Sequence, residues 1–159
     1  MFRVAKQIMR KNREVVGGGL WVEVVTLTIP EFNDSNEELW DAARFIAGVS
    51  RDIPWHVTAF HKDYKMTAPD NTGPQTLIRA AEIGREAGLR YVYAGNLPGN
   101  VAEYEDTHCP ACSCRLVKRS GYVIHEYAIT GDGNCPKCGQ KIAGIWSKNP
   151  STVGLNEMR

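Results

Sequence analysis

Two Cys-Pro-x-Cys motifs, Cys109-Pro110-Ala111-Cys112 and Cys135-Pro136-Lys137-Cys138, constrain this chain more than any other feature. A Cys-x-x-Cys pair turns tightly enough for both sulfurs to reach one ion. Two pairs complete a tetrahedron of thiolates, the shell that suits Zn²⁺. Proline after the first cysteine of each pair pre-sets the backbone for the turn. Gly139 follows the second pair, where the chain often needs a positive φ. Ser113 stands there in the first pair, so the two turns are expected to differ. The spacing predicts one structural ion on Cys109, Cys112, Cys135 and Cys138. Zinc is the expected metal, and rubredoxin-type iron is compatible with the same knuckles. Cys114 is left over and reads as a partly exposed thiol. His108 and His125 read as ordinary polar residues, because four cysteines already fill the shell. Between the pairs, Arg115 to Arg119 and Tyr122 to Tyr127 form a predicted hairpin turning at Ser120-Gly121. A hairpin of that size is marginal alone, and metal binding contributes its folding energy.

The five cysteines all lie between positions 109 and 138. Charges interrupt Met1 to Glu14 every two or three residues, which does not suit a secretory signal. A reduced, cytoplasmic setting is therefore expected, where clustered cysteines hold metal rather than pair as disulfides. No run reaches the ~18 apolar residues of a membrane span. The formal net charge of +1 gives no reason to expect nucleic acid as a partner. The basic cluster Lys6, Arg10, Lys11 and Arg13 reads as a solvated helix face.

Upstream of the knuckles the pattern alternates helix and strand. Val4, Ala5, Ile8 and Met9 recur at helical spacing, and Gly17-Gly18-Gly19 ends that helix. Leu20 to Ile29 is rich in β-branched residues and nearly all apolar, as a strand buried on both faces of a parallel sheet reads. Ser35 and Glu38 make a capping box for a helix with the stripe Leu39, Ala42, Ala43, Ile46 and Val49. Ile53 to Phe60 is a second strand. Thr72 and Gln75 bracket Pro74 at the start of a third helix, with Gly88 as its cap, and Leu89 to Ala94 is a third strand. This α-β-α-β-α-β order predicts parallel strands joined by crossover helices. The pattern changes between Val101 and Thr107, where a boundary is expected.

In parallel α/β folds, ligands sit at the C-terminal ends of the strands. Here those ends lead into Thr28 to Asn33, Phe60 to Met66 and Gly95 to Gly99. The middle one, with His61, Asp63, Tyr64 and Lys65, is the most polar. His56 and Thr58 alternate with Trp55, Val57 and Ala59 inside the second strand. One face of that strand is thus half polar, as a barrel lumen would be, although a satisfied core histidine reads equally well.

The segments LWVEVVTLTIPEFNDSNEEL, PWHVTAFHKDYKM, GLRYVYAGNLPG and the two CPxC knuckles, in this order, resemble the C-terminal half of the AmmeMemoRadiSam-type radical SAM proteins. These are relatives of the pyruvate formate-lyase-activating enzymes. The resemblance runs from about Val4 to Trp146. It implies an α/β fold: a partial radical-SAM-type (β/α)6 barrel, here about three βα units over 1–104. A small zinc-ribbon-like domain follows over 105–148, and then a tail over 149–159. It also implies S-adenosylmethionine and a [4Fe-4S] cluster as cofactors, with 5′-deoxyadenosyl radical chemistry. His61, Lys65 and Asn96 are then the residues facing SAM or substrate. The family's Cys-x-x-x-Cys-x-x-Cys cluster motif has no counterpart here, since Cys109, Cys112 and Cys114 have other spacing. The expectation is a fragment that is inactive alone and partners a missing N-terminal half or a neighbouring gene product. The first strand, long and apolar, is expected to leave an exposed edge through which the chain self-associates. The alternative is a non-catalytic zinc-binding module that contacts another protein.

Overall fold

The structure, a computed structural model, describes residues 21–155. The helix expected over Val4 to Met9 and the glycines after it lie outside the described residues. Strand β1 (Val24–Thr28), helix α1 (Asn36–Val49), β2 (Trp55–Ala59), helix α2 (Pro74–Glu86) and β3 (Val92–Gly95) follow in order. The three strands are parallel, in the spatial order β1-β2-β3. Each is shorter than its apolar run in the sequence.

Local chemistry sets the helix ends. The Ser35 hydroxyl accepts the N–H of Glu38 at 3.3 Å and donates to the Glu38 carboxylate at 2.8 Å, which starts α1. Pro74 opens α2, where its missing N–H costs no hydrogen bond. Gly88, at φ 95°, ends α2. Its N–H donates to Arg85 O, and the next N–H, of Leu89, donates to Gly84 O. That is a Schellman closure, which needs the left-handed conformation. Thr72 does not cap α2. Its hydroxyl turns inward, accepting the Phe60 N–H at 3.0 Å and donating to Thr28 O at 2.5 Å. It thereby ties the C-terminal ends of β1 and β2 together.

Both helices pack on one face of the sheet. Trp55, Val57 and Ala59 of β2, with Val92 and Ala94 of β3, share a core with Leu39, Ala43, Ile46, Leu77 and Ala80. Helix α2 lies so close that a Cβ on Gly84 would stand 2.8 Å from the Trp55 ring. Successive crossovers of one hand between adjacent parallel strands put both helices in a single layer. The opposite face carries a row set by register, Val25–His56–Tyr93, and a second row, Leu27–Thr58–Gly95.

This arrangement corrects the expectation for the first strand. It is not buried on both faces, because Val25 is 65% and Leu27 44% exposed. Among the described residues no helix covers that side, and β1 is the sheet's edge.

Past a short 3-10 turn (Ala102–Glu105), three antiparallel strands follow: β4 (Thr107–His108), β5 (Arg115–Ser120) and β6 (Val123–Tyr127). Strands β5 and β6 turn at Gly121-Tyr122, one residue later than the sequence suggested. This unit is not independent of the parallel sheet. Its core of Leu116, Val117, Ile129 and Ile142 also takes in Tyr91 and Tyr93, from the open face of β3. Strand β3 thus contributes one face to each core.

Candidate metal centre and the groove beside it

Four cysteines converge at the far end of this second core. The sulfurs of Cys109 and Cys138 lie 3.6 Å apart, those of Cys112 and Cys135 3.7 Å, and all four within 4.8 Å of one another. A tetrahedron with Zn–S bonds of about 2.3 Å has edges of about 3.8 Å. The separations match that edge and are far from the about 2.05 Å of a disulfide. The donor set thus fits a metal such as zinc.

The two knuckles are built alike. Ser113 N–H donates to Cys109 O and Gly139 N–H to Cys135 O, each at 2.9 Å. Cys109 N–H closes on Cys114 O and Cys135 N–H on Gln140 O. Gly139 sits at φ 73° and Ser113 at φ 55°. The expectation that serine makes the first turn different is therefore corrected. The turn geometry that brings both sulfurs to one point is imposed on serine as well. Backbone amides aimed at sulfur also shape the acidity. Burial raises the Cys135 thiol, but the N–H groups of Cys138 and Lys137 and the nearby thiols outweigh it and bring it to about 7. The Cys114 N–H lowers the Cys112 thiol, but burial and the three other sulfurs push it up to about 12. Cys114 lies outside the cluster, half-buried, with its thiol toward Arg115 O. His108 and His125 are likewise not part of it.

The residues expected at the strand ends sit where topology put them. His61 and Lys65 are exposed on the loop after β2, with the Lys65 ammonium 5.3 Å from the Tyr64 ring. Asn96, at φ 66° after β3, donates through Nδ2 to Ala59 O at 3.2 Å. It therefore joins the ends of β2 and β3, while His61 and Lys65 make no side-chain hydrogen bond among the described residues.

A cavity of about 350 Å³ opens elsewhere, between the N-terminal half of the open sheet face and the knuckle unit. His56 stands in it, 2.8 Å from the Glu23 carboxylate and stacked on Tyr93 at 5.0 Å. Burial lowers the His56 pKa, and Glu23 only partly offsets this. The Arg119 guanidinium covers Tyr93 at 4.9 Å, and the Tyr93 hydroxyl pairs with Thr107. Glu105 joins the two units. Its carboxylate accepts the N–H of Gly99 at 2.8 Å and of Gly121 at 2.7 Å. Sequence reasoning flagged His56 but missed Glu23, Tyr93, Glu105 and Arg119. The alternation Tyr91-x-Tyr93 was the one available signal, marking aromatic side chains on the side of β3 away from the helices.

No family model matches the chain, and no solved structure does. It is similar to Uncharacterized protein MJ0808 of Methanocaldococcus jannaschii, with 39% identity over 128 residues. That alignment covers 78% of this chain and 37% of the archaeal protein, so the chain spans little more than a third of its relative's length. No helix among the described residues is long and apolar enough to cross a membrane.

Proposed function

We propose that this chain is the C-terminal portion of a radical SAM enzyme of the AmmeMemoRadiSam type, closing one side of a partial (β/α) barrel and carrying a structural zinc ion. The observation that carries this reading is the open sheet face. Three parallel strands keep both helices on one side and turn Val25, His56, Thr58 and Tyr93 to the other, as barrel strands do toward a lumen. His61, Lys65 and Asn96 at the C-terminal ends of β2 and β3 are then the residues toward SAM and substrate. The chain's own cysteines do not fit a [4Fe-4S] cluster. Four are gathered in the knuckles, and Cys114 stands apart. The cluster and the reductive cleavage of SAM therefore belong to a polypeptide bearing the Cys-x-x-x-Cys-x-x-Cys motif. This chain supplies barrel wall, rim and knuckle.

A second reading, a non-catalytic zinc-binding module that contacts another protein, draws on the edge of β1. There Trp21, Val25 and Leu27 are exposed, and the strand's outer edge, away from β2, has no partner strand among the described residues. One experiment separates the two. The chain is co-expressed with a polypeptide bearing the cluster motif, reconstituted with iron and sulfide without oxygen, and assayed for 5′-deoxyadenosine. Product formed by the pair, and reduced by Asn96→Ala, supports the enzyme reading. A stable pair without product supports the module.

A further inference from the structure

Four of the six tyrosines and two of the four tryptophans line the groove between the open sheet face and the knuckle unit. They are Tyr91, Tyr93, Tyr122, Tyr127, Trp21 and Trp146. Tyr91 and Tyr93 are needed by the core. The rim is not accounted for in that way, since Tyr122 is fully exposed and Ile145 is 78% exposed beside Trp146. Trp146 is held in place by local geometry. Its ring lies where a Cβ on Gly144 would stand, 2.6 Å away, and its Nε1–H donates to Ile142 O at 3.0 Å.

Among the described residues, three ionisable side chains besides the tyrosines line this aromatic slot: Glu23, His56 and Arg119. The Glu23 carboxylate takes the Trp21 indole N–H on one oxygen and meets His56 on the other. Each oxygen keeps a second lone pair. Arg119 donates through Nε to Glu105 O at 2.5 Å, and its terminal amino groups make no hydrogen bond among the described residues. The slot therefore offers flat apolar walls, a carboxylate acceptor and a planar cation whose terminal amino groups make no hydrogen bond among the described residues. The cavity is of a size that takes a small ligand.

We propose that this groove binds a flat nitrogen heterocycle carrying an anionic group, of the chemical class of a purine nucleoside monophosphate. The ring system stacks against the aromatic walls. The heterocycle's N–H edge donates to Glu23, and the phosphate pairs with the Arg119 guanidinium in the two-pronged manner arginine favours. The groove lies at the N-terminal ends of the strands, opposite His61, Lys65 and Asn96. It is thus a second site, independent of the proposed barrel chemistry.

The test is isothermal titration calorimetry of the full chain with adenosine and guanosine 5′-monophosphates and with the two parent nucleosides. The expected result is saturable binding of at least one monophosphate, with the nucleoside about tenfold or more weaker. In Arg119→Gln the two should bind alike, and Glu23→Gln should weaken both. Metal content and circular dichroism check that each variant is folded. If Arg119→Gln does not fold, the comparison of nucleoside with nucleotide on the native chain still decides. The proposal is overturned by no saturable heat up to ~1 mM. Equal affinity with and without the phosphate, or full binding by Glu23→Gln, overturns it equally.

Discussion

Stripping the metal from the knuckles should loosen the parallel sheet as well as the knuckle unit. Structural zinc contributes about 10–16 kcal/mol in small domains of this kind, against a total stability of about 5–15 kcal/mol for a whole domain. Chelation therefore unfolds the segment after Thr107. If the two cores were separate, β3 would not notice. In this fold Tyr91 and Tyr93, 4% and 8% exposed, are buried by that segment. Burying an aromatic side chain is worth about 1.5–3 kcal/mol, so the two together lose about 3–6 kcal/mol. The ties from Glu105 to Gly99 and Gly121 are lost with them. Opening of β3 becomes easier by about two to four orders of magnitude. Hydrogen exchange read by mass spectrometry, before and after chelation, reports this directly. Peptides over Val92–Gly95 should lose protection by that factor, while the α1–β2 core changes less. Unchanged exchange over Val92–Gly95 with the knuckle unit fully unfolded would refute the shared-core reasoning.

Ser113→Gly should raise stability by up to about 1 kcal/mol, because serine at φ 55° carries a steric cost that glycine avoids; thermal unfolding at constant metal loading measures it. Two buried threonines should behave oppositely in urea titrations. Thr72→Val should cost about 1–3 kcal/mol by orphaning the Phe60 N–H and Thr28 O. Thr28→Val should be neutral or stabilising, since the Thr28 hydroxyl is buried with no partner among the described residues. Burial holds the folded His56 pKa below the ordinary imidazole value of about 6.5, so on acidification the unfolded chain takes up this proton first. Stability should therefore fall as pH drops through about 6.5 toward the folded value, and rise with pH over that window. His56→Asn should flatten this slope in urea midpoints collected across the range.

Periodicity and caps made the parallel half of the fold legible. The Ser35 cap, Pro74 at the start of α2 and Gly88 at its end are local signals, and each acts locally in the structure. The cysteine spacing likewise located the cluster, because a Cys-x-x-Cys turn is set by neighbouring residues. What sequence concealed depends on which element covers which face. An apolar run such as Leu20 to Ile29 reads as doubly buried, yet Val25 and Leu27 are exposed because both crossover helices lie behind the sheet. The groove was hidden for the same reason. Glu23, His56, Tyr93 and Arg119 come from β5 and from the starts of three parallel strands, and only the docking of the knuckle unit on β3 assembles them. Ser113 shows the limit of reading propensity alone, since closure of a four-sulfur site imposes a left-handed serine.

The central claim is a division of labour. On the proposed reading, Cys109, Cys112, Cys135 and Cys138 hold one structural metal ion, and the redox cluster is held by a segment bearing the Cys-x-x-x-Cys-x-x-Cys motif outside these residues. Elemental analysis of the chain purified anaerobically, alone and together with a partner bearing the cluster motif, tests it most directly. The account predicts about one zinc and no iron–sulfide on the chain alone, with about four irons appearing only in the pair. A chain without metal, or one that takes up iron and sulfide by itself, would contradict it.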